Sequence, residues 1–185
     1  MAAAVEAKPK RWTYEEYYRL DDEKRYEIID GELLMGLSPD SSHQDWAGGL
    51  NDIVRAFVLR HKLGKTFFAP LDLILDAQNT VQPDLIFISK AKATIIKQQR
   101  GIFGVPDLLV ELVSPSSVRR DRYQKRELYA RFGVPEYWIV DPANKALEVL
   151  TLREGHYELH CCAEEKGKVT SLVLPGLEFD VSELP

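Results

Sequence analysis

The sequence predicts a mixed α/β (α+β) protein in which a central β-sheet carries helices on its faces. Three observations favour this class. Strand-like and helix-like runs alternate along the chain, the dipeptide Asp30-Gly31 between two apolar runs indicates an N-terminal β-hairpin, and short strand-like runs separated by turns fill the C-terminal part. We therefore expect a core over about residues 26–142 and a β-rich C-terminal extension over residues 143–185.

The first helices are indicated by their caps and by apolar residues at helical spacing. Thr13 and Glu16 have the spacing of a capping box, which predicts a short helix that ends near Leu20. A long amphipathic helix is expected after Asp40, with Gly64 ending it. Its buried stripe comprises Trp46, Leu50, Ile53, Val54, Phe57, Val58 and His61.

Apolar runs between turn-forming residues indicate the strands. The predicted strands cover residues 26–29, 32–35, 66–69, 71–75, 81–88, 108–113 and 136–140. A short polar helix is expected over residues 90–99, and a longer one over 119–132. Gly101 and Gly104 are expected to break the chain before the strand at 108–113.

Length and charge limit the classes of protein that fit. The 185 residues suit a single domain, 11–185, after a disordered tail over residues 1–10. A net charge of −5 argues against a protein that coats nucleic acid non-specifically, but not against an enzyme that binds a few phosphates. No apolar run is long enough for a bilayer. Adjacent Cys161 and Cys162 favour reduced thiols, which predicts a cytoplasmic location.

Two acidic residues interrupt apolar strand-like runs, which is the strongest functional signal. Asp84 begins the run that continues to Ile88, and Glu111 lies in the middle of the run from Leu108 to Val113. Carboxylates are rarely buried unless they are paired or bind a metal. Two carboxylates on neighbouring strands would repel each other, so a divalent cation is expected between them. The alternatives are a structural ion pair for Glu111 and a turn cap for Asp84.

Basic residues follow on the last predicted helix. Lys125 shares a helix face with Leu128 and Phe132, which should pack on the sheet. This places the Lys125 ammonium at the edge of the core, near the end of the Glu111 strand; the alternative is a lysine that extends to the surface. The same segment carries three arginines that could contact phosphates or simply be solvated: Arg119, Arg120 and Arg122.

Several stretches of the chain resemble one known family in the same order. These stretches are residues 26–32, 38–39, 43–44, 69–72, 81–84, 106–111 and 114–116, followed by Lys125 through residues 140–142. From about Trp12 to Leu150 the chain resembles the Uma-two family of endonucleases, within the restriction-endonuclease-like PD-(D/E)XK superfamily. The superfamily lysine normally lies two positions after the second acid, where this chain has Val113. The resemblance implies that Lys125 takes its place from the following helix.

The resemblance also implies an activity and its residues. It implies a restriction-endonuclease-like core that cleaves DNA with Mg²⁺, for which Mn²⁺ can substitute. Asp84 and Glu111 would bind the metal, with Lys125 as the third catalytic residue. His43 and Asp72 match family positions near the site, and Gln82 and Glu27, in matching stretches, are further supporting candidates. In an enzyme of this kind Arg119, Arg120 and Arg122 would contact the phosphates of the DNA as nucleic-acid-binding residues. Pairing into a homodimer is expected by analogy with enzymes that cut both strands.

Two other functions remain open from the sequence. The chain could be a non-catalytic nucleic-acid-binding module on a nuclease-like scaffold. It could also hydrolyse glycosidic bonds with two carboxylates and no metal, which would require an open cleft lined with aromatic side chains.

Overall fold

The computed structural model of the chain describes residues 10–22, 24–36, 38–114 and 117–185. The predicted mixed α/β class is confirmed. Within these residues the strands form two six-stranded sheets and one two-stranded sheet, a division that the sequence pattern does not show. Residues 1–9 of the predicted tail lie outside the described residues. The division into a tail and one domain therefore stays a prediction.

The helical elements and strands have the following bounds. The helices are α1 (Tyr14–Tyr17), α2 (Ser41–His61) and α3 (Arg126–Phe132), with a π-helical turn at Arg120–Lys125 directly before α3 and 3₁₀ turns at Lys90–Ile95, Pro142–Asn144 and Val181–Glu183. The strands are β1 (Tyr26–Ile29), β2 (Glu32–Met35), β3 (Gly64–Phe68), β4 (Leu73–Asp76), β5 (Asn79–Val81), β6 (Leu85–Ser89), β7 (Ile96–Lys97), β8 (Gly101–Phe103), β9 (Leu108–Leu112), β10 (Glu136–Asp141), β11 (Ala146–Arg153), β12 (His156–Glu164), β13 (Lys168–Thr170) and β14 (Glu178–Asp180).

Most predicted elements are present, but several boundaries differ. The capping box at Thr13 is confirmed, although α1 ends at Tyr17, before Leu20. The prediction that Gly64 ends α2 is wrong, because Lys62 ends this helix in a left-handed conformation with φ 54°. Gly64 begins β3 instead, where a Cβ atom would collide with the carbonyl of Ile88 on the paired strand.

A predicted helix and a predicted chain break have other structures. The polar segment at 90–99 forms a 3₁₀ turn and then β7 instead of one helix. Gly101, predicted as a break, begins β8, which pairs in parallel with β4. A side chain at Gly101 would approach the carbonyl of Asp72 on the neighbouring segment, so glycine allows this close pairing.

The central sheet has the strand order β12-β11-β10-β9-β6-β3. Strands β9 and β10 are parallel, and the other neighbours in this sheet are antiparallel. The second sheet has the order β2-β1-β5-β4-β8-β7 and contains the predicted N-terminal hairpin, with β1 and β2 antiparallel. The C-terminal extension supplies β11 and β12 to one edge of the central sheet.

Apolar side chains pack on both faces of the central sheet. Helix α2 covers one face through a stripe that includes Leu50 and Val54, in the same apolar cluster as Val110 of β9. The other face packs against α3 and the second sheet, with Leu109 of β9 contributing. Because side chains alternate along a strand, Glu111 lies on the face of Leu109, between the sheets. In the described part of the chain, no helix is both long enough and apolar enough to cross a membrane.

Candidate active site

A buried lysine joins the two sheets through acidic side chains. Lys125, at the end of the π-helical turn, is only 3% exposed. Its Nζ atom lies 2.9 Å from Oε1 of Glu111 on β9 and 2.8 Å from Oε1 of Glu27 on β1. The hydroxyl of Tyr129 on α3 donates a hydrogen bond of 2.6 Å to the same Glu111 oxygen. Lys125 thus lies among the core elements and not at the surface.

Asp84 directly precedes β6 and lies opposite Glu111 of β9. Its Oδ2 atom accepts a hydrogen bond of 2.7 Å from the backbone amide of Leu112, the residue next to Glu111 on β9. Its Oδ1 atom lies 3.3 Å from Nε2 of His43 in the first turn of α2. The hydrogen bond to Asp84 raises the pKa of His43, against the effect of burial. Asp84 and Glu111 therefore occupy adjacent positions across paired strands, as their neighbouring runs in the sequence suggested.

Burial and charge act in opposite directions on these groups. Burial raises the pKa of Glu111 well above its usual range, and Lys125 only partly offsets this effect. Burial would also raise the pKa of Glu27, but the Lys125 charge brings it below the ordinary value. The pKa of Lys125 is raised despite burial, because Glu111 and Glu27 favour its charged form. Lys125 is therefore held as an ammonium ion.

A second hydrogen-bond network extends the site towards α1. The backbone amide of Gln82 donates to Oε1 of Glu27 over 2.9 Å. The side-chain amide of Gln82 donates to Oδ1 of Asp72 over 2.8 Å, and the Tyr17 hydroxyl lies 3.3 Å from the same oxygen. Burial raises the pKa of Asp72, and the charge of Glu27 adds to the increase. Gln82 and Asp72 thus support the position of Glu27.

The three arginines have different surroundings. Nε of Arg120 lies 3.5 Å from Oε2 of Glu27, at the edge of the site. Arg119 is exposed. Arg122 contacts Glu148 at 2.5 Å and Asp141 at 3.7 Å, so its charge already has acidic partners outside the lysine site.

Comparisons with known proteins identify the family and a similar fold. A family model described as Uma2, "Putative restriction endonuclease", matches residues 14–182. The chain belongs to this family. A crystal structure described as "a putative nuclease belonging to DUF820" from Anabaena variabilis superimposes with a TM-score of 0.74 and 17% identity, covering 92% of this chain and 96% of that one. At this identity the likeness concerns the fold alone. No curated protein gives a match.

Two residues near the lysine of this Uma2 family member do not stand out as site residues in the sequence. Tyr129 has the pattern of a core residue, although its hydroxyl binds Glu111. Asp121 is not identified by the sequence pattern, yet its buried carboxylate lies 3.6 Å from Nζ of Lys125. Its place four residues before Lys125 on a helical segment is the available signal. Only the packing of the π-helical turn against the sheet shows that the pair is buried.

The Uma2 site contains oxygen ligands of the kind that a hard divalent cation prefers. Asp84 and Glu111 offer carboxylate oxygens, and Oε2 of Glu111 accepts no hydrogen bond from the described residues. The site also contains more acidic than basic side chains: the acids are Glu27, Asp84, Glu111 and Asp121, and the cations are Lys125 and Arg120. Among residues 10–22, 24–36, 38–114 and 117–185, no three His, Cys, Asp or Glu side chains form a ready metal cluster. Mg²⁺ needs only one or two carboxylates because waters complete its coordination.

Replacing Tyr129 with phenylalanine tests whether its hydroxyl stabilises the Glu111 carboxylate. The variant keeps the buried ring but removes a donor to a buried acid, so we expect a loss of about 1.5–3 kcal/mol in the free energy of unfolding. Urea titration at neutral pH measures this change. The control is Tyr123→Phe, since Tyr123 is 63% exposed on the neighbouring turn. Equal stability of the two variants would show that the hydroxyl contributes little.

Proposed function

We propose that this Uma2 family protein is a Mg²⁺-dependent endonuclease that hydrolyses phosphodiester bonds in DNA. The observation that carries the proposal is the grouping of Asp84, Glu111 and Lys125 on adjacent elements of a nuclease-like fold. The description of the family and the naming of the similar Anabaena variabilis protein as a nuclease favour nucleic acid as the substrate. The DNA specificity and the metal requirement are part of the proposal.

Asp84 and Glu111 would hold the metal ion. Bound Mg²⁺ would polarise the scissile phosphate and lower the pKa of a water molecule that attacks it. His43 would orient Asp84 through its contact with Oδ1. Tyr129 would orient Glu111 through its hydrogen bond to Oε1, which leaves Oε2 available.

Lys125 would act on the phosphate as a charged hydrogen-bond donor. An ammonium group has three N–H donors, and the structure accounts for two of them at Glu27 and Glu111. A donor aimed at the position where negative charge develops lowers the energy of the transition state. Gln82 and Asp72 would keep Glu27, and through it Lys125, in place.

The arginines would position the nucleic acid without reading its sequence. Arg119 and Arg120 are the better candidates, because Arg122 already pairs with Glu148 and Asp141. Arg122 can contribute only by leaving those partners. The cytoplasmic location and the homodimer remain predictions of the sequence.

One observation favours the alternative of a binding module that does not cleave. Lys125 and Tyr129 both contact Oε1 of Glu111, so this acid already has a cationic partner and a hydrogen-bond donor within the protein. If Lys125 and Tyr129 stay bonded to Glu111 when metal is present, the site binds nucleic acid without hydrolysing it. The aromatic residues needed for a glycosidase cleft are instead in the core, where Tyr129, Tyr137 and Trp138 are fully buried.

A cleavage assay on four substrates tests the proposal. Circular plasmid, linear duplex, single-stranded DNA and RNA are each incubated with Mg²⁺, with Mn²⁺ or with EDTA. We expect the circular plasmid to be cut with either metal and to stay intact with EDTA. Binding without cleavage would favour the non-catalytic binding module. Faster cleavage of RNA than of DNA would contradict the proposed DNA specificity. Cleavage in EDTA would contradict the metal requirement.

A further inference from the structure

Asp121 is a buried acid with an incomplete set of partners. Its side chain is 4% exposed, and its Oδ1 atom accepts no hydrogen bond from the described residues. The nearest cationic atoms are Nζ of Lys125 at 3.6 Å and Nε of Arg120 at 3.9 Å. A buried carboxylate without a full set of hydrogen bonds destabilises a fold, so its presence calls for a physical reason.

Asp121 is the third acid close to the Lys125 ammonium. Lys125 makes short contacts with Glu27 on the second sheet and Glu111 on the central sheet. Asp121 approaches the same nitrogen from within the π-helical turn that carries Lys125, four residues before it. The ammonium is therefore attracted towards two sheets and towards its own turn, and its location depends on the balance of the three acids.

The backbone fixes Asp121 independently of its side chain. The Tyr137 hydroxyl, buried on β10, donates a hydrogen bond of 2.9 Å to the carbonyl oxygen of Asp121. The amide of Asp121 donates to the carbonyl of Ser117 over 2.9 Å. π-Helical turns are rare and often occur at functional sites. This turn therefore holds the carboxylate close to Lys125.

We infer that Asp121 is a positioning residue that holds the Lys125 ammonium between Glu27 and Glu111. The inference rests on the proposed function, because it assigns Lys125 a role in cleavage. Burial raises the pKa of Asp121, and Lys125, a hydrogen bond with the Ser117 side chain and Arg120 offset this only in part. The ionised acid thus destabilises the folded state, as is common for residues that serve activity at the expense of stability.

The variant Asp121→Asn separates a positioning role from a structural one. We expect kcat for DNA cleavage to fall by about 10- to 100-fold, as for a misplaced catalytic group, with KM unchanged. The melting temperature should stay equal or rise, because the variant removes a buried charge. The matched control is Asp107→Asn, which removes the acid paired with Lys92 at 3.2 Å outside the site. A lower melting temperature with unchanged kcat would overturn the inference.

A second measurement does not depend on activity. The ¹⁵N signal of the Lys125 ammonium, assigned by its absence in Lys125→Met, reports hydrogen exchange at Nζ. We expect faster exchange in Asp121→Asn and no change in Asp107→Asn. If the wild type does not cleave any substrate, the proposed function fails while this experiment still tests the positioning. Identical exchange in Asp121→Asn and the wild type would overturn the inference.

Discussion

Replacing Lys125 with methionine is expected to lower the free energy of unfolding by about 3–5 kcal/mol and to abolish cleavage. Methionine keeps much of the length of the side chain but removes the charge that neutralises Glu27 and Glu111, whose Oε1 atoms lie 2.8 and 2.9 Å from Nζ. Removing one partner of a buried ion pair leaves an uncompensated charge in the core. Cleavage is lost because the donor proposed to face the phosphate is absent.

The stability loss in Lys125→Met should depend on pH. In the wild type the pKa of Glu27 is lowered, so its contribution is present above the unfolded pKa and is lost as the pH falls through the folded pKa. In the variant, Glu27 and Glu111 lose the Lys125 charge and, within the described part of the chain, only Glu27 keeps a cation nearby, Arg120. Protonation of either acid then removes the cost of burying its charge. The difference in stability should therefore be largest near neutral pH and smaller in acid.

Urea titrations at several pH values measure this effect. The control is Lys92→Met, since the Lys92 side chain is 35% exposed and pairs with Asp107. Exposed pairs contribute only about 0–1 kcal/mol, so this variant should be close to the wild type at every pH. A Lys125 variant as stable as the Lys92 variant would show that the buried ammonium does not hold the two sheets together.

Replacing Asp84 with asparagine should reduce cleavage by at least about 100-fold with little change in stability. Residues that only support a metal ligand typically account for about 10- to 100-fold in affinity or activity, so loss of a ligand should exceed this. Asparagine can still accept the hydrogen bond from the Leu112 amide that Asp84 now accepts. The fold should therefore persist while the charge for the cation is lost.

Cleavage rates at increasing Mg²⁺ concentration measure this prediction. Asp107→Asn is a close match as a control, because Asp107 also accepts a backbone hydrogen bond of 2.7 Å, from Ser89, and also pairs with a base. We expect this control to cleave at the wild-type rate. Full activity of Asp84→Asn at every Mg²⁺ concentration would remove Asp84 from the mechanism.

The sequence predicts those residues of the candidate site whose polarity differs from that of their neighbours in the chain. Asp84 and Glu111 are acids within apolar strand runs, and helical spacing indicates that Lys125 faces the core. Asp121 cannot be found in this way, because it lies in a polar run where acids are expected. Its burial depends on the packing of the π-helical turn against Tyr137, a contact between distant parts of the chain.

The fold is predictable to a similar extent, for the same reason. Local signals identify the hairpin at Asp30-Gly31 and the stripe of α2, since both depend on neighbouring residues. The division into two sheets depends on pairings between distant strands, such as β4 with β8, whose first residue, Gly101, resembles a chain break in the sequence. The prediction that Gly64 ends α2 fails for a related reason. This glycine lets its backbone lie close to Ile88 on another strand, which the local sequence does not show.

The proposed metal site can be tested directly with an anomalous scatterer. A crystal of the wild type is soaked in Mn²⁺ at a concentration that supports cleavage, and the anomalous difference map is calculated. We expect one peak bound by the carboxylates of Asp84 and Glu111, with Oε2 of Glu111 among the ligands. A map without a peak there, with Lys125 and Tyr129 still bonded to Glu111, would contradict the metal-dependent mechanism.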